Sequence, residues 1–317
     1  MNAIAIIILN YNNFEDTINC IDSVEKINTA PIKYIIVDNG SPRKGVVDAL
    51  DKYFSEKFSG QYLLLNDDYK CLNSLPYCTF LASKKNSGYA CGNKKGLKLA
   101  YGDESIDTCL ILNNDVLFVD DFIPVVYKQL WSHDEYLLAT PLILQKDGIH
   151  VDRSCARRFK SFAHILSFYV FMFKDFFGIL NYFDEKMLIL DPQKRYKEPM
   201  VIDMPCGSNF MGKKEDLKRI DDFDPHTFLY YEEDILAAKM KKLKKKCVLV
   251  PSVACIHLGS VSANKCSSKF IFETGIKSTR YYVKNYMGIG KIRYCIFYAV
   301  TILSKCLFNL KTLIKNK

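Results

Sequence analysis

Three stretches of this chain read as strands buried on both faces, and each ends abruptly in polar residues. Ala3 to Leu9 runs into Asn10, Tyr34 to Val37 runs into Asp38-Asn39-Gly40-Ser41-Pro42, and Thr108 to Leu112 runs into Asn113-Asn114-Asp115. Continuous apolar runs of this kind suit parallel strands covered by helices, not the alternating pattern of a half-exposed sheet. Phe14 to Ile27, Val46 to Phe54 and Gly88 to Ala100 have helical patterning between them, and Gln61 to Leu65 reads as a further strand. Strands alternating with helices predict an α/β fold with a doubly wound, mostly parallel sheet. Ligands bind such sheets outside the carboxyl ends of the strands, which puts Asp38 and Asp115 on one rim.

Bulk properties narrow the class. A chain of 317 residues, 49% hydrophobic and 25% charged, has enough apolar surface for one large domain with an appendage. The N-terminal apolar run lacks a positive leader and a small-residue cleavage site, so it is expected to be the first strand and not a secretory signal. Twelve cysteines without paired spacing fit free thiols in a reducing cytoplasm. The net charge of +9 resides in the tail: after Glu273 come nine lysines and arginines and no acid. A uniformly basic nucleic-acid binder is therefore disfavoured, and a tail that meets an anionic membrane surface is favoured.

Residues 157–190 are strongly aromatic but interrupted by His164, Lys174 and Asp175, so a membrane span is not expected there. A core helix and a helix lying on a membrane or bounding an acceptor groove both fit. Tyr294 to Ser304 is uncharged with lysines on both sides, too short by itself to span and suited to an interface.

Several residue groups could carry chemistry. Asp38 starts a turn and could meet a base or ribose, although such aspartates are commonly structural. Asp115 is a hard oxygen donor suited to Mg2+ or Mn2+ holding a diphosphate, or else an Asx turn. Glu232, Glu233 and Asp234 stand ahead of a helix, where acids meet the dipole favourably and one could act as a general base. His257 follows the strand CVLVP and precedes a small-residue turn. The lysines from 239 to 246 read as a solvated helix end, with contact to anionic lipid the sharper alternative.

In order, IIILNYNN, YIIVDNGSP, NSGYACGNKKG, LILNNDV, CGSNFMGKKEDLKRIDDFDPHTFLYYEED and HLGSVS resemble the inverting family 2 glycosyltransferases of the GT-A fold. The likeness is to bacterial rhamnosyltransferase-like enzymes of surface-polysaccharide synthesis and covers roughly residues 3 to 290. It implies a GT-A domain over 1–275, with the aromatic helical insertion at 157–190, and a basic amphipathic helical tail over 276–317. It implies that Asn10, Asn12 and Asp38 hold the nucleotide, and that Asn86, Gly88 and Asn93 line the nucleotide-sugar pocket. Asn114, Gly207 and Ser208 join the donor site; Asp115, Asn113 and His257 form the metal corner, with Asn113 where many relatives carry an aspartate. Lys94 stands where relatives often have a second asparagine. The base is expected at Glu233, with Asp234 the alternative and Glu232 beside them.

The implied reaction moves a sugar from a UDP or dTDP donor, dTDP-rhamnose among them, to a saccharide acceptor, polyprenyl-linked, at the cytoplasmic face of the cell membrane. Two other readings remain. A nucleotidyltransferase needs a glycine-rich basic loop after the first strand, which IIILNYNNFED lacks; a non-catalytic nucleotide-sugar-binding membrane protein is left open by Asn113 and the shifted acids.

Overall fold

The computed structural model describes residues 2–70, 72–171, 179–191, 194–259 and 267–315. Part of the expected aromatic insertion (172–178) and the end of HLGSVS (260–262) lie outside the described residues. In chain order the strands are β1 (Ala3–Asn10), β2 (Ile32–Asp38), β3 (Tyr62–Asn66), β4 (Cys78–Ala82), β5 (Ile106–Asn113), β6 (Val116–Phe118), β7 (Tyr136–Leu144), β8 (Ala156–Arg157), β9 (Met200–Ile202), β10 (Met204–Pro205), β11 (Asn209–Lys213) and β12 (Lys246–His257). The helices are α1 (Phe14–Ile27), α2 (Val46–Lys57), α3 (Gly88–Gly102), α4 (Phe122–Trp131), α5 (Phe162–Phe171), α6 (Ile179–Met187), α7 (Lys214–Arg219), α8 (Glu232–Lys242), α9 (Ser268–Asn285) and α10 (Lys291–Lys315).

Ten strands form one sheet in the order β3-β4-β2-β1-β5-β11-β7-β12-β6, with β9 added against β12. The first five neighbours are parallel, as buried apolar strands joined by helices must be. Antiparallel β11 is inserted between β5 and β7, which makes the sheet mixed. Register places the polar strand ends side by side: Asn10 opposes Asp38, and Leu9 opposes Asn113. On the far side, His257 opposes Val116 and so arrives beside the LNND turn.

The main core is the isoleucine-rich centre of β1, β2 and β5 with the helices that cover it. A second, smaller core joins Ile165 and Tyr169 of α5, Ile235 of α8, Ile276, Tyr282 and Val283 of α9, and Phe297 of α10. Because α8 also contributes Leu236 and Met240 to the main core, the helix that begins with the three acids is wedged between two apolar bodies. Helix α9 runs uninterrupted through residue 275.

Helix α10 is longer than its uncharged stretch suggests. Lys305 and Lys311 interrupt the composition but not the helix, and Lys291–Leu313 is long and apolar enough to cross a bilayer by length and composition. It is apolar on its outward face as well as its inward one. Thr301 and Ser304 are buried with Phe297 against the domain, and the Ser304 hydroxyl donates to the Tyr169 carbonyl at 2.6 Å. Ile292, Leu303 and Leu313 face outward at 79%, 60% and 66% exposure.

Candidate active site

The sheet rim begins with a saturated polar cluster. Asp38 is fully buried; one carboxylate oxygen accepts from Asn10 Nδ2 at 2.7 Å and from the Ser41 hydroxyl, and the other accepts from Ser41 N at 3.0 Å. Asn10 Oδ1 in turn accepts from the Thr17 hydroxyl at 2.8 Å. Asn12 adopts the left-handed conformation that asparagine tolerates; its N–H donates to Ser41 Oγ and its side-chain oxygen accepts from Arg43 N. Asn114 turns back into this cluster, donating to the Asn13 carbonyl and to Thr17 Oγ1, both at 3.0 Å. A buried carboxylate with three donors and a buried amide with its own partners cost little to keep dry and fix the rim's shape.

The NSGYACGN segment continues this network. Asn86 Oδ1 accepts from Gly88 N and from Asn39 Nδ2, and Asn93 Nδ2 donates to the Tyr89 carbonyl. Gly88 has φ +84°, and a β-carbon there would lie 2.4 Å from the Phe228 carbonyl oxygen, so only glycine lets α3 start against the loop that leads to the acids. Lys94 is anchored to Asp221 and Asp222 at 2.8 and 2.9 Å, a structural ion pair holding the same loop.

Asp115 and His257 meet at 3.3 Å, carboxylate to Nε2, where β12 passes the LNND turn. Burial alone disfavours the imidazolium, but the hydrogen bond and charge of Asp115 outweigh it, and the His257 pKa stands above its ordinary value. Among the described residues no three His, Cys, Asp or Glu side chains gather as a closed metal cage. A carboxylate and an imidazole at a strand end do fit a cation that takes its remaining ligands from phosphate oxygens and water. Asn113 stands beside them.

A cavity of about 1040 Å³ joins this corner to the start of α8. Its wall includes Asn113, Gly207, Ser208 and His257 together with Glu232, Glu233 and Asp234. The three acids differ sharply. Glu232 is buried, its Oε1 makes no hydrogen bond among the described residues, and burial reinforced by the Glu233 charge raises its pKa well above the carboxyl range. Asp234 is also buried and faces Lys160 Nζ at 3.1 Å. Glu233 is half-buried: Arg157 Nη2 is 3.9 Å from one of its oxygens, and a β-carbon built on Gly207 would fall 1.9 Å from the other. Gly207 is thus small so that the Glu233 carboxylate can lie against the backbone.

The structure therefore brings Asn113, Gly207, Ser208, His257 and the three acids around one cavity. Asn10, Asn12, Asp38, Asn86, Gly88, Asn93, Asn114 and Asp115 are not among its lining residues. The first seven build the rim and the α3 start, and Asp115 reaches the cavity through His257. Sequence reasoning gave no role to Tyr89, whose hydroxyl donates to the Gly207 carbonyl at 2.6 Å, or to Arg157 and Lys160. The two cations stand at the edge of the aromatic run, where a basic residue reads as a helix end; only the fold puts them opposite the acids.

A sequence model described as Glycosyl transferase family 2 matches residues 5–221. The acids at 232–234 and His257 lie beyond that match, so geometry carries them. Among solved structures, one described as GalNAc-T7 with UDP, GalNAc and Mn2+ superposes with a TM-score of 0.60 at 14% identity, over 89% of this chain and 48% of that one. The chain spans about half the length of that protein, and at such identity the likeness bears on the fold. No curated protein sequence gives a significant match. The rim, the strand order and the matched segment agree: the chain belongs to glycosyl transferase family 2 and has the GT-A fold of a nucleotide-sugar glycosyltransferase.

Proposed function

We propose that this chain transfers a hexose from a UDP or dTDP donor to a saccharide acceptor by a single inverting displacement, with Glu233 as general base. The observation that carries this is the placement of Glu233 in the same cavity as Asn113 and His257. The sugar would lie between them, its leaving diphosphate toward His257 and the acceptor hydroxyl toward Glu233. Glu233 takes the acceptor proton as that oxygen bonds to the anomeric carbon, and the bond to the diphosphate breaks with its electron pair leaving on the diphosphate. No covalent glycosyl-enzyme is needed. Asp115 and His257, with Asn113 beside them, would hold a Mg2+ or Mn2+ ion, which neutralises charge developing on the leaving diphosphate. The Asp38 cluster supports the nucleotide end through the turn that it shapes.

The acceptor is taken to be a polyprenyl-linked saccharide of surface-polysaccharide synthesis, met at the cytoplasmic face of the membrane. Helix α10 supports this: its outward face carries Ile292, Leu303, Leu307 and Leu313, large apolar side chains that a helix on a water-facing surface would not expose together. Its docking on Tyr169, Phe272 and Arg280 favours a helix lying in the interface over one that leaves the domain to span. The ten described cysteines are free thiols, as a reducing compartment allows.

A thermal-shift screen of UDP-hexoses, UDP-N-acetylhexosamines and dTDP-rhamnose, each with Mn2+ or Mg2+, tests the donor class. Stabilisation by one nucleotide class that needs the ion supports the reading, and no response to any donor opposes it. For the membrane, a Leu303→Asp/Leu307→Asp double variant should lose sedimentation with anionic vesicles, and salt should weaken the parent's binding. Undiminished vesicle binding by the double variant would remove α10 as the anchor.

A further inference from the structure

Glu232, Glu233 and Asp234 are consecutive, yet they occupy three different settings, and one short segment makes the difference. Arg157 ends β8, and Lys160 follows three residues later, just ahead of α5. Lys160 Nζ lies 3.1 Å from the Asp234 carboxylate and 4.4 Å over the centre of the Tyr231 ring. Asp234 is thereby held in an ion pair at 1% exposure, and Lys160 is pinned on both sides. Arg157 faces the preceding acid. Its Nη2 donates to the Pro205 carbonyl at 2.9 Å and stands 3.9 Å from Glu233 Oε2. Pro205 belongs to β10, which pairs with β8, so the guanidinium is anchored through the strand pair that carries it. The other Glu233 oxygen lies against Gly207, and the carboxylate is bracketed between that backbone and Arg157. Among the described residues no cation pairs with Glu232.

We propose that Arg157 is a positioning residue for Glu233, holding that carboxylate turned into the cavity as the proton acceptor, while Lys160 keeps Asp234 paired, so that the segment 157–160 selects which of three adjacent acids does the chemistry. This rests on the reading of Glu233 as the base. The groups facing Glu233 from its surroundings are Glu232 and Asp234 on its own helix, Tyr89 from α3, the Cys206 thiol ahead of β11, and Arg157. Burial raises the Tyr89 phenol and the Cys206 thiol, so both are neutral near pH 7. Among the described residues Arg157 is the cation paired with Glu233, as Lys160 is with Asp234. Arginine suits the position because its charge persists at every working pH and its planar fork can hold a carbonyl and a carboxylate together.

The test compares the purified full-length parent with Arg157→Gln, Arg157→Lys and Glu233→Gln, using the donor retained in the thermal-shift screen and following nucleoside diphosphate release with a saccharide panel. Removing a cation within about 4–6 Å of a carboxylate shifts its titration upward by about one pH unit or more. The acidic limb of kcat/KM for Arg157→Gln should move up by that amount, with most of the high-pH rate retained, KM for acceptor little changed, and Arg157→Lys restoring the parent profile. An unmoved limb in a folded Arg157→Gln enzyme, or a raised KM at every pH, overturns the proposal and marks Arg157 as a packing or acceptor-binding group. If Arg157→Gln does not fold, Arg157→Lys decides alone: a limb at the parent position with kcat retained supports the proposal, and a limb at the parent position with kcat lost at all pH values overturns it. Full activity in Glu233→Gln instead sinks the assignment of the base, whatever Arg157 does.

Discussion

Two regions of this protein bury carboxylates, and they do it in opposite ways. At the ends of β1 and β2, Asp38 is fully buried with three donors, and its neighbours Asn10 and Asn114 are themselves hydrogen-bonded. At the start of α8, three acids share two cations, and one oxygen each of Glu232 and Asp234 makes no hydrogen bond among the described residues. The first arrangement is stable in one state and serves as a mould. The second leaves two buried carboxylate oxygens without a hydrogen bond among the described residues, a setting common at sites that do chemistry. Under the proposed reaction, a rigid rim would shape the donor end and the less satisfied acids would serve the acceptor end.

Substitutions that break this contrast should separate activity from stability. The largest effect is expected for Glu233→Gln, which keeps the shape and removes the base: transfer should fall by about 10²–10⁴-fold with an unchanged melting temperature. Asp115→Ala should follow, losing the ion-dependent part of the donor's thermal shift as well as most of the rate. Gly207→Ala should displace the Glu233 side chain, whose oxygen occupies the space the new methyl needs. That contact is with the end of a flexible side chain, so the expected result is a clear loss of kcat with a small loss of stability. Asp38→Ala should do the reverse, leaving Asn10 Nδ2 and Ser41 N without their acceptor, at a cost of about 1–3 kcal/mol in chemical denaturation.

The smallest effect sharpens the contrast through pH. Burial raises Glu232 above its ordinary 4.5, so the folded protein binds a proton there that the unfolded chain releases. Its contribution to stability therefore falls as pH rises from about 4.5 through the raised value, and levels off above it. Glu232→Gln should remove that decline and gain stability relative to the parent above neutral pH; parallel melting curves across the range would refute the burial argument.

Much of the architecture was legible in the sequence because parallel buried strands must be apolar end to end. Phe14–Ile27 is a helix over the predicted span, and the runs before Asn10, Asp38 and Asn113 are the central strands. The antiparallel β11 was not legible: NFMGK is short and lies in a motif read for its chemistry, and its insertion between β5 and β7 depends on distant pairing. At the site, the acid triplet and the LNND turn were visible as unusual groupings. Which acid is the least buried was not, since spacing along one helix cannot show that Lys160 covers Asp234 and Arg157 flanks Glu233. Asn114 and Asn93 illustrate the converse. Their type suggests ligand contact, whereas their amide nitrogens donate to Thr17 Oγ1 of α1 and to the Tyr89 carbonyl one turn back in α3.

The central claim is that Glu233 and the His257 corner act on one sugar held in a single cavity. Proton NMR of the anomeric centre during transfer from the donor tests it most directly. The account predicts a product of inverted configuration, formed by the parent and not by Glu233→Gln. A product of retained configuration, or equal formation by both proteins, would contradict it.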